Sequence, residues 1–222
     1  MNITYWSDFN CPYSYIGLKR LSDAVKKCNV EFEWHMKAFE LEPNLKNTST
    51  LSAVEKHAQK FGISNEKARK EIFQINEIAL KSAIEMHLEK SHPTSSKPAH
   101  RLVKYMQKID PTKAQELVFK IFESKFKTCE NIADVDVLCE ISKSLGFDDG
   151  KIKNILSSDR YEIEVMFDEE DAILSGINST PCYIIEVNGE ELIIPGVFEM
   201  EYLKIAINDL LSGKIIEKTT LL

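Results

Sequence analysis

The chain has 222 residues, of which 43% are hydrophobic and 28% are charged, and its formal net charge is −7 at pH 7. This length and composition are typical of a soluble protein with one large domain or two small ones. The acidic balance provides no basic surface for nucleic acid, and no run of 18 apolar residues predicts a membrane span. We therefore expect neither nucleic acid nor a membrane as a partner.

The first forty residues predict a β-α-β unit. Residues 3–9 alternate apolar side chains as a strand does, and Pro12 is tolerated in the first turn of a helix. Apolar residues at helical spacing follow at Leu21, Ala24 and Val25. Residues 30–38, VEFEWHMKA, alternate strictly between apolar and polar, which predicts a second strand with one wet face.

The middle of the chain, from about residue 51 to 176, has helical periodicity. The segment EKSHPTSSKPAH (89–100) interrupts the helices with two prolines, and Gly146 and Gly176 are typical helix ends. The acidic run at 162–171 is interpreted as a solvated helix face. Cys129 and Cys139 are expected in the helical core.

Strand signals return at residues 182–187, CYIIEV. Asn188-Gly189 then predicts a tight hairpin, because both turn positions need a positive φ. LIIPG is the partner strand, and a last helix follows at residues 203–210. The outer pieces thus have the order β-α-β … β-β-α, which predicts an α/β fold. We expect a thioredoxin-like domain, residues 1–45 and 177–222, interrupted by an all-helical insertion domain, residues 46–176.

Cys11 lies between the first strand and the first helix, in the stretch WSDFNCPYSYIG. Backbone N–H groups and the helix dipole at such a position stabilise a thiolate, and cysteines there have a pKa of roughly 3.5 to 7.5. Ser14 is expected one helical turn later, with its hydroxyl able to donate to the thiolate. Cys11 is therefore the candidate nucleophile, although a cysteine that only packs at a strand end has the same local pattern.

A second candidate feature is the stretch INSTPCY, which places Thr180-Pro181 directly before the third strand. A proline at a strand start is typical of a special turn, and a cis X-Pro bond is the usual device. In thioredoxin folds this loop faces the active-site helix. We therefore expect a cis bond that lies against Cys11.

These motifs resemble the DsbA family of thioredoxin-fold proteins, in its FrnE-like branch, along nearly the whole chain. The resemblance depends on WSDFNCPYSYIG, FELEPN (39–44), AHRL (99–102) and STPCYIIEVNGEELIIPGV (179–197), which occur in the family's order. Related proteins are the 2-hydroxychromene-2-carboxylate isomerases and the kappa-class glutathione transferases, which have S-P-Y-S where this chain has C-P-Y-S. The resemblance implies the fold described above.

The resemblance also implies roles for individual residues. Cys11 corresponds to the attacking cysteine of the oxidoreductases, or to the serine that supports the glutathione thiol in the isomerases. Ser14 occupies the position of the resolving cysteine, and Pro181 that of the cis-proline. Thr180 would offer backbone hydrogen bonds to a peptide or to glutathione, and Pro12 and Tyr13 would contact the substrate. The chain departs from the family in having Ser14 instead of a second cysteine, and TSSKP (94–98) instead of an N-T-F-D stretch.

The first functional hypothesis is a monothiol C-P-Y-S thiol–disulfide oxidoreductase that acts through a mixed disulfide on Cys11. Its partner would be a protein disulfide or a glutathione-linked small molecule, with glutathione as a co-substrate and no tightly bound cofactor. The alternatives are a glutathione-dependent isomerase or transferase, and a non-catalytic binding protein. A homodimer is left open.

Other residues carry weaker signals. The five cysteines, an odd and scattered set, suit free thiols in a reducing compartment, and the N-terminus lacks a secretion signal, so we expect a cytoplasmic protein. Cys182 is interpreted as a buried core residue, with participation in the site left open. His100 is interpreted as structural, and the spacing of His87 and His92 predicts no metal site. Trp6 and Trp34 are expected to be core aromatics.

Overall fold

The computed structural model describes residues 1–45, 48–214 and 219–221. The chain divides into two compact units. One, the thioredoxin unit, comprises Met1–Phe39 and Val165–Leu222, and the other, the helical unit, comprises Glu40–Glu164. The first segment of the thioredoxin unit ends six residues before the predicted end at residue 45. Its second segment begins twelve residues before the predicted start at residue 177.

The thioredoxin unit is built on a sheet of strand order β2-β1-β3-β4-β5. β1 and β2 are parallel, β3 is antiparallel to both β1 and β4, and β5 is parallel to β4. The strands are β1 (Asn2–Ser7), β2 (Glu33–Ala38), β3 (Cys182–Val187), β4 (Glu190–Pro195) and β5 (Thr219–Thr220). Helices α1 (Pro12–Cys28) and α9 (Met200–Leu211) belong to the same unit and pack against each other.

Local sequence accounts for these strands. β2 exposes Glu33 and His35 and buries Met36 and Ala38, as the alternation predicts. Asn188 and Gly189 have φ of 53° and 90° and join β3 to β4, as a hairpin turn with two positive φ values requires. The α/β class and the β-α-β … β-β-α order are therefore confirmed.

The helical unit comprises α2 to α7, a short π-helical segment and the first turn of α8. Ser52 caps α2 reciprocally with Glu55, so two orphan N–H groups at the helix start are paired. The helices are α2 (Ala53–Phe61), α3 (Asn65–Lys81), α4 (Lys97–Ile109), α5 (Pro111–Glu123), the π-helical segment (Ser124–Thr128), α6 (Val135–Ser144), α7 (Asp149–Leu156) and α8 (Glu162–Leu174). No helix of the described residues is long and apolar enough to cross a membrane.

The expectation that Cys129 lies in the helical core needs correction. Cys129 follows the π-helical segment with a φ of 59° and is half-buried rather than in the core, because it ends a helix instead of lying within one. Cys139 is buried as expected.

The acidic run of α8 is also more than a solvated face. Asp168 is buried; its carboxylate accepts a hydrogen bond from the Ala38 N–H at 2.8 Å, and its carbonyl accepts one from Trp6 Nε1 at 3.0 Å. Asp171 forms an ion pair with Lys37. These bonds tie the second part of α8 to β1 and β2, which explains why the thioredoxin unit begins again at Val165 and not after the helix.

Candidate active site

Cys11 occupies the N-cap position of α1. The chain leaves β1 at Ser7 and turns, with the Cys11 N–H donating to the Asp8 carbonyl at 3.0 Å. Cys11 itself has extended backbone angles, φ −95° and ψ 109°, and Pro12 begins the helix. Because the first turn of a helix has unpaired N–H groups, the cysteine stands where an anion is favoured.

The Thr180-Pro181 peptide bond is cis and lies against this cysteine. The Cys11 thiol donates to the Thr180 carbonyl, with 3.6 Å between Sγ and the oxygen. The Pro181 carbonyl accepts from the Gly196 N–H at 2.8 Å, which ties the loop to the end of β4. Two segments about 170 residues apart in sequence are thus brought together at one sulfur atom.

The hydroxyl groups of Ser14 and Thr180 lie near the Cys11 sulfur. Ser14 is fully buried in the first turn of α1, and its N–H donates to the Cys11 carbonyl at 3.1 Å. Neither Ser14 Oγ nor Thr180 Oγ1 has a hydrogen bond of normal geometry within the described part of the chain. Both residues nevertheless lie close enough to the sulfur to lower the pKa of the Cys11 thiol.

Burial of Cys11 raises the pKa of its thiol, and this effect is larger than the lowering by Thr180 and Ser14. Cys11 is only 6% exposed, and the loss of solvation raises the pKa of its thiol above the ordinary value. The neighbouring Asp8 charge raises this pKa further, while Thr180 and Ser14 lower it. The expected low pKa is therefore wrong for this state: the helix N-terminus favours the thiolate, but desolvation outweighs it.

The remaining predicted residues divide between the site and the core. Pro12 is half-buried, and Tyr13, two residues after Cys11, is 40% exposed. Cys182 is buried on β3 opposite Trp6 in the strand register. Trp6 is a core aromatic, whereas Trp34 is half-buried. His100 is buried in α4, within the helical unit.

Sequence reasoning missed two residues next to the site, Gly17 and Tyr183. A Cβ atom on Gly17 would stand 2.6 Å from the Tyr183 hydroxyl oxygen and 3.1 Å from Pro181 Cγ, so only glycine leaves room for this approach. A glycine inside a helical pattern is a known signal of close packing. Tyr183 lies in β3, two residues after Pro181. Alternate residues of an extended segment face the same side, and this alternation was the available signal.

Within residues 1–45, 48–214 and 219–221, no group of three or more His, Cys, Asp or Glu side chains is placed to hold a metal ion.

The fold and the cysteine facing a cis-proline define a protein of the thioredoxin-fold class. The family model of the DSBA-like thioredoxin domain matches residues 2–208, so the chain belongs to this family. A Bacillus subtilis protein, YwbO, is 24% identical over 222 residues, which span 94% of this chain and 96% of that protein.

Solved structures of other proteins share the fold. A protein described as a probable DsbA oxidoreductase, from Streptomyces coelicolor, superposes with a TM-score of 0.85 at 20% identity, covering 100% of this chain and 94% of that one. A 2-hydroxychromene-2-carboxylate isomerase has a TM-score of 0.69 at 16% identity, with coverage of 96% and 98%. The cytosolic disulfide reductase DsbM from Pseudomonas aeruginosa has a TM-score of 0.61 at 14% identity, also with 96% and 98%.

Proposed function

We propose that this protein is a thiol–disulfide oxidoreductase in which Cys11 is the nucleophile of a monothiol C-P-Y-S site. The observation that carries the proposal is the contact of Cys11 Sγ with the carbonyl of Thr180, directly before the cis Pro181, at 3.6 Å. Membership of the DsbA-like family and similarity to oxidoreductase and isomerase structures support an enzyme of this general kind.

The proposed reaction has two exchanges. The Cys11 thiolate attacks one sulfur of a substrate disulfide, forming a Cys11–substrate disulfide and releasing the other sulfur as a thiolate, which takes up a proton. A second, low-molecular-weight thiol then attacks the mixed disulfide as its thiolate and takes the substrate sulfur, which restores Cys11. Because Ser14 cannot act as a resolving thiol, the outside thiol forms a mixed disulfide with the substrate and supplies one electron. A second outside thiol attacks this mixed disulfide and supplies the other electron, which leaves two substrate thiols and the disulfide of the outside thiol.

The Thr180 carbonyl links substrate binding to activation of the thiol. At rest it accepts the Cys11 S–H, and a hydrogen bond to the neutral form disfavours ionisation. A substrate N–H that binds this carbonyl displaces the S–H donor. The hydroxyls of Ser14 and Thr180 then remain beside the sulfur to stabilise the thiolate.

Glutathione is the proposed outside thiol, acting as a co-substrate and not as a tightly bound cofactor. The similar protein DsbM has also been solved with glutathione, at a TM-score of 0.60 and 12% identity. We propose a cytoplasmic location, where glutathione is abundant; all five cysteines are free thiols, as a reducing compartment favours.

The direct test is incubation with oxidised glutathione followed by intact-mass measurement and peptide mapping. We expect one glutathione on Cys11, released by added reduced glutathione. Cys11→Ser should form no such adduct, whereas the matched control Cys182→Ser should behave as the parent does. Modification of another cysteine with Cys11 untouched would contradict the proposal and favour a non-catalytic binding protein.

Ser14→Cys tests the monothiol character of the site. Because positions 11 and 14 share the first turn of α1, the new thiol is expected to close onto Cys11 on mild oxidation. The mixed disulfide with glutathione should then be short-lived, and reduction of insulin driven by dithiothreitol should rise. A long-lived mixed disulfide in this variant would show that position 14 does not face the reacting sulfur.

A glutathione-dependent isomerase or transferase is the second candidate. It is favoured by the buried Ser14 hydroxyl and by the P-Y-S that the chain shares with the isomerases. In that case Cys11 would hold the glutathione thiolate, and the product would contain a thioether or an isomerised substrate. Turnover with a small electrophile that persists in Cys11→Ser would support this candidate, because serine occupies that position in the isomerases.

A further inference from the structure

Three buried hydroxyl groups surround the Cys11 site without a hydrogen bond. They are Ser14 Oγ, Thr180 Oγ1 and Tyr183 Oη, and none has a partner among the residues that the structure describes. An unpaired buried hydroxyl loses its hydrogen bonds to water and gains none in return, so folded proteins rarely leave one. Ser14 and Thr180 are explained by their effect on the Cys11 sulfur. Tyr183 has no role in the mechanism above.

The Tyr183 hydroxyl lies against the same face of α1 as Ser14. It stands 2.6 Å from the position of a Cβ on Gly17, and Gly17 is three residues after Ser14. Side chains three apart on a helix are neighbours, with about 5–6 Å between their Cβ atoms. The phenol is therefore one helical turn from Ser14, in a space that exists only because position 17 has no side chain.

The phenol stays protonated and so remains a hydrogen-bond donor. Burial raises the pKa of Tyr183 well above its ordinary value, and Tyr5 on β1 and the thiols of Cys11 and Cys182 raise it further. Asp8, from the turn before α1, acts on Cys11 in the same sense. None of these named groups favours an ionised phenol.

We propose that Tyr183 is a positioning residue, whose phenol donates to Ser14 Oγ while Ser14 donates its own hydrogen to the Cys11 thiolate. This inference rests on the proposed role of Cys11 as the nucleophile. At rest the thiol is neutral, and neither hydroxyl is engaged. When the thiolate forms, the serine hydroxyl turns to the sulfur, and its oxygen accepts from Tyr183. No proton is transferred; the two hydroxyls form a chain that strengthens the donor at the sulfur.

Tyr183→Phe removes only the hydroxyl and tests the inference. The pH midpoint for alkylation of Cys11, read by peptide mass, should shift upward, with about a three- to tenfold slower reaction at neutral pH, since one hydrogen-bonded link to a charge is lost. Stability in urea should be unchanged or higher, because an unpaired buried hydroxyl is removed. A merely structural tyrosine would leave the pH profile unmoved.

Two further variants sharpen the test. In a Ser14→Ala background, Tyr183→Phe should have no additional effect on the alkylation profile, because the phenol acts through Ser14. Tyr105→Phe, the same deletion in the helical unit, should leave the profile as in the parent.

The two proposals fail in different ways. An unchanged midpoint in Tyr183→Phe, or fully additive effects of the two substitutions, overturns the inference even if Cys11 captures oxidised glutathione. A shifted midpoint without any capture overturns the proposed function and leaves the role of Tyr183 in tuning the thiol intact.

Discussion

Two buried polar arrangements, one in each unit, use hydrogen bonds in opposite ways. In the helical unit, Arg101 donates to the carbonyls of Arg160 at 2.8 Å and Ile155 at 2.9 Å, and also to the Ser158 carbonyl. In the thioredoxin unit, the hydroxyls around Cys11 have no such partners within the described chain. The Arg101 guanidinium thus has hydrogen-bond partners, whereas the hydroxyls around Cys11 have none among the described residues.

The difference separates stability from function. Arg101 is a buried cation that donates three hydrogen bonds to carbonyls at the C-terminal end of α7 and in the following loop, and it forms an ion pair with Glu162 at 3.9 Å. Its role is to hold the chain. Unsatisfied hydroxyls beside a nucleophile weaken the fold, and such groups are retained where charge develops during a reaction. The four predictions below test this contrast.

Arg101→Met is expected to have the largest effect on stability. It removes the charged donor from the Ser158 and Arg160 carbonyls, and the loss should be about 3 kcal/mol in unfolding free energy. Urea denaturation of the two proteins measures it. Arg101→Lys should recover only part of the loss, since an ammonium group lacks the planar fork. Reactivity of Cys11 below the unfolding transition should be unchanged.

Gly17→Ala should destabilise the thioredoxin unit by about 1–2 kcal/mol, because overpacking outweighs the better helix propensity of alanine. The added Cβ would meet Tyr183 Oη at 2.6 Å and Val197 Cγ2 at 3.3 Å. In a Tyr183→Phe background the loss should shrink, since the closest atom is gone. A double-mutant cycle in urea measures the coupling, and additive losses would contradict the packing argument.

Ser14→Ala should affect reactivity and leave the fold intact. Ser14 lowers the pKa of the Cys11 thiol, so its loss should raise that pKa, as expected when a hydrogen bond to a charged group is removed. The alkylation rate of Cys11 as a function of pH measures this. Asp8 raises the same pKa, so Asp8→Asn should move the midpoint in the opposite direction. Equal midpoints in parent and Ser14→Ala would refute the role of the serine.

The smallest expected effect is on stability at alkaline pH. Burial raises the folded-state pKa of Cys11 above its unfolded value, so the folded chain keeps a proton that the unfolded chain has lost. Stability from this group is complete below the ordinary cysteine pKa of about 8.5 and falls as the pH rises above it, by up to about 1 kcal/mol in the first unit. Parent and Cys11→Ser compared in urea at pH 7 and 9.5 isolate the term. A parallel loss in both proteins would assign the slope to the other thiols.

Local patterns in the sequence were sufficient to predict much of the fold. The strict alternation at residues 30–38 and the Asn188-Gly189 turn each depend on neighbouring residues alone. The turn occurs as predicted, and the strand forms over the later part of its run, Glu33–Ala38. Pro12 begins α1 as its missing N–H allows. The contact of Cys11 with Thr180 was also predictable, because their motifs lie next to the ends of well-marked strands.

Tertiary structure decided the properties that depend on distant parts of the chain. Whether Cys11 ionises easily depends on how much of the folded protein covers it, and desolvation reverses the direction that the helix N-terminus alone predicts. Asp168 lies in an acidic run that is typical of a solvated helix, yet its bonds to Trp6 and Ala38 bury it. Thus the sequence by itself determined the order of the elements and the position of Cys11 at the start of α1. Burial, and with it the thiol pKa and the approach of Tyr183 to Gly17, is set by contacts between segments far apart in the chain, which no local pattern records.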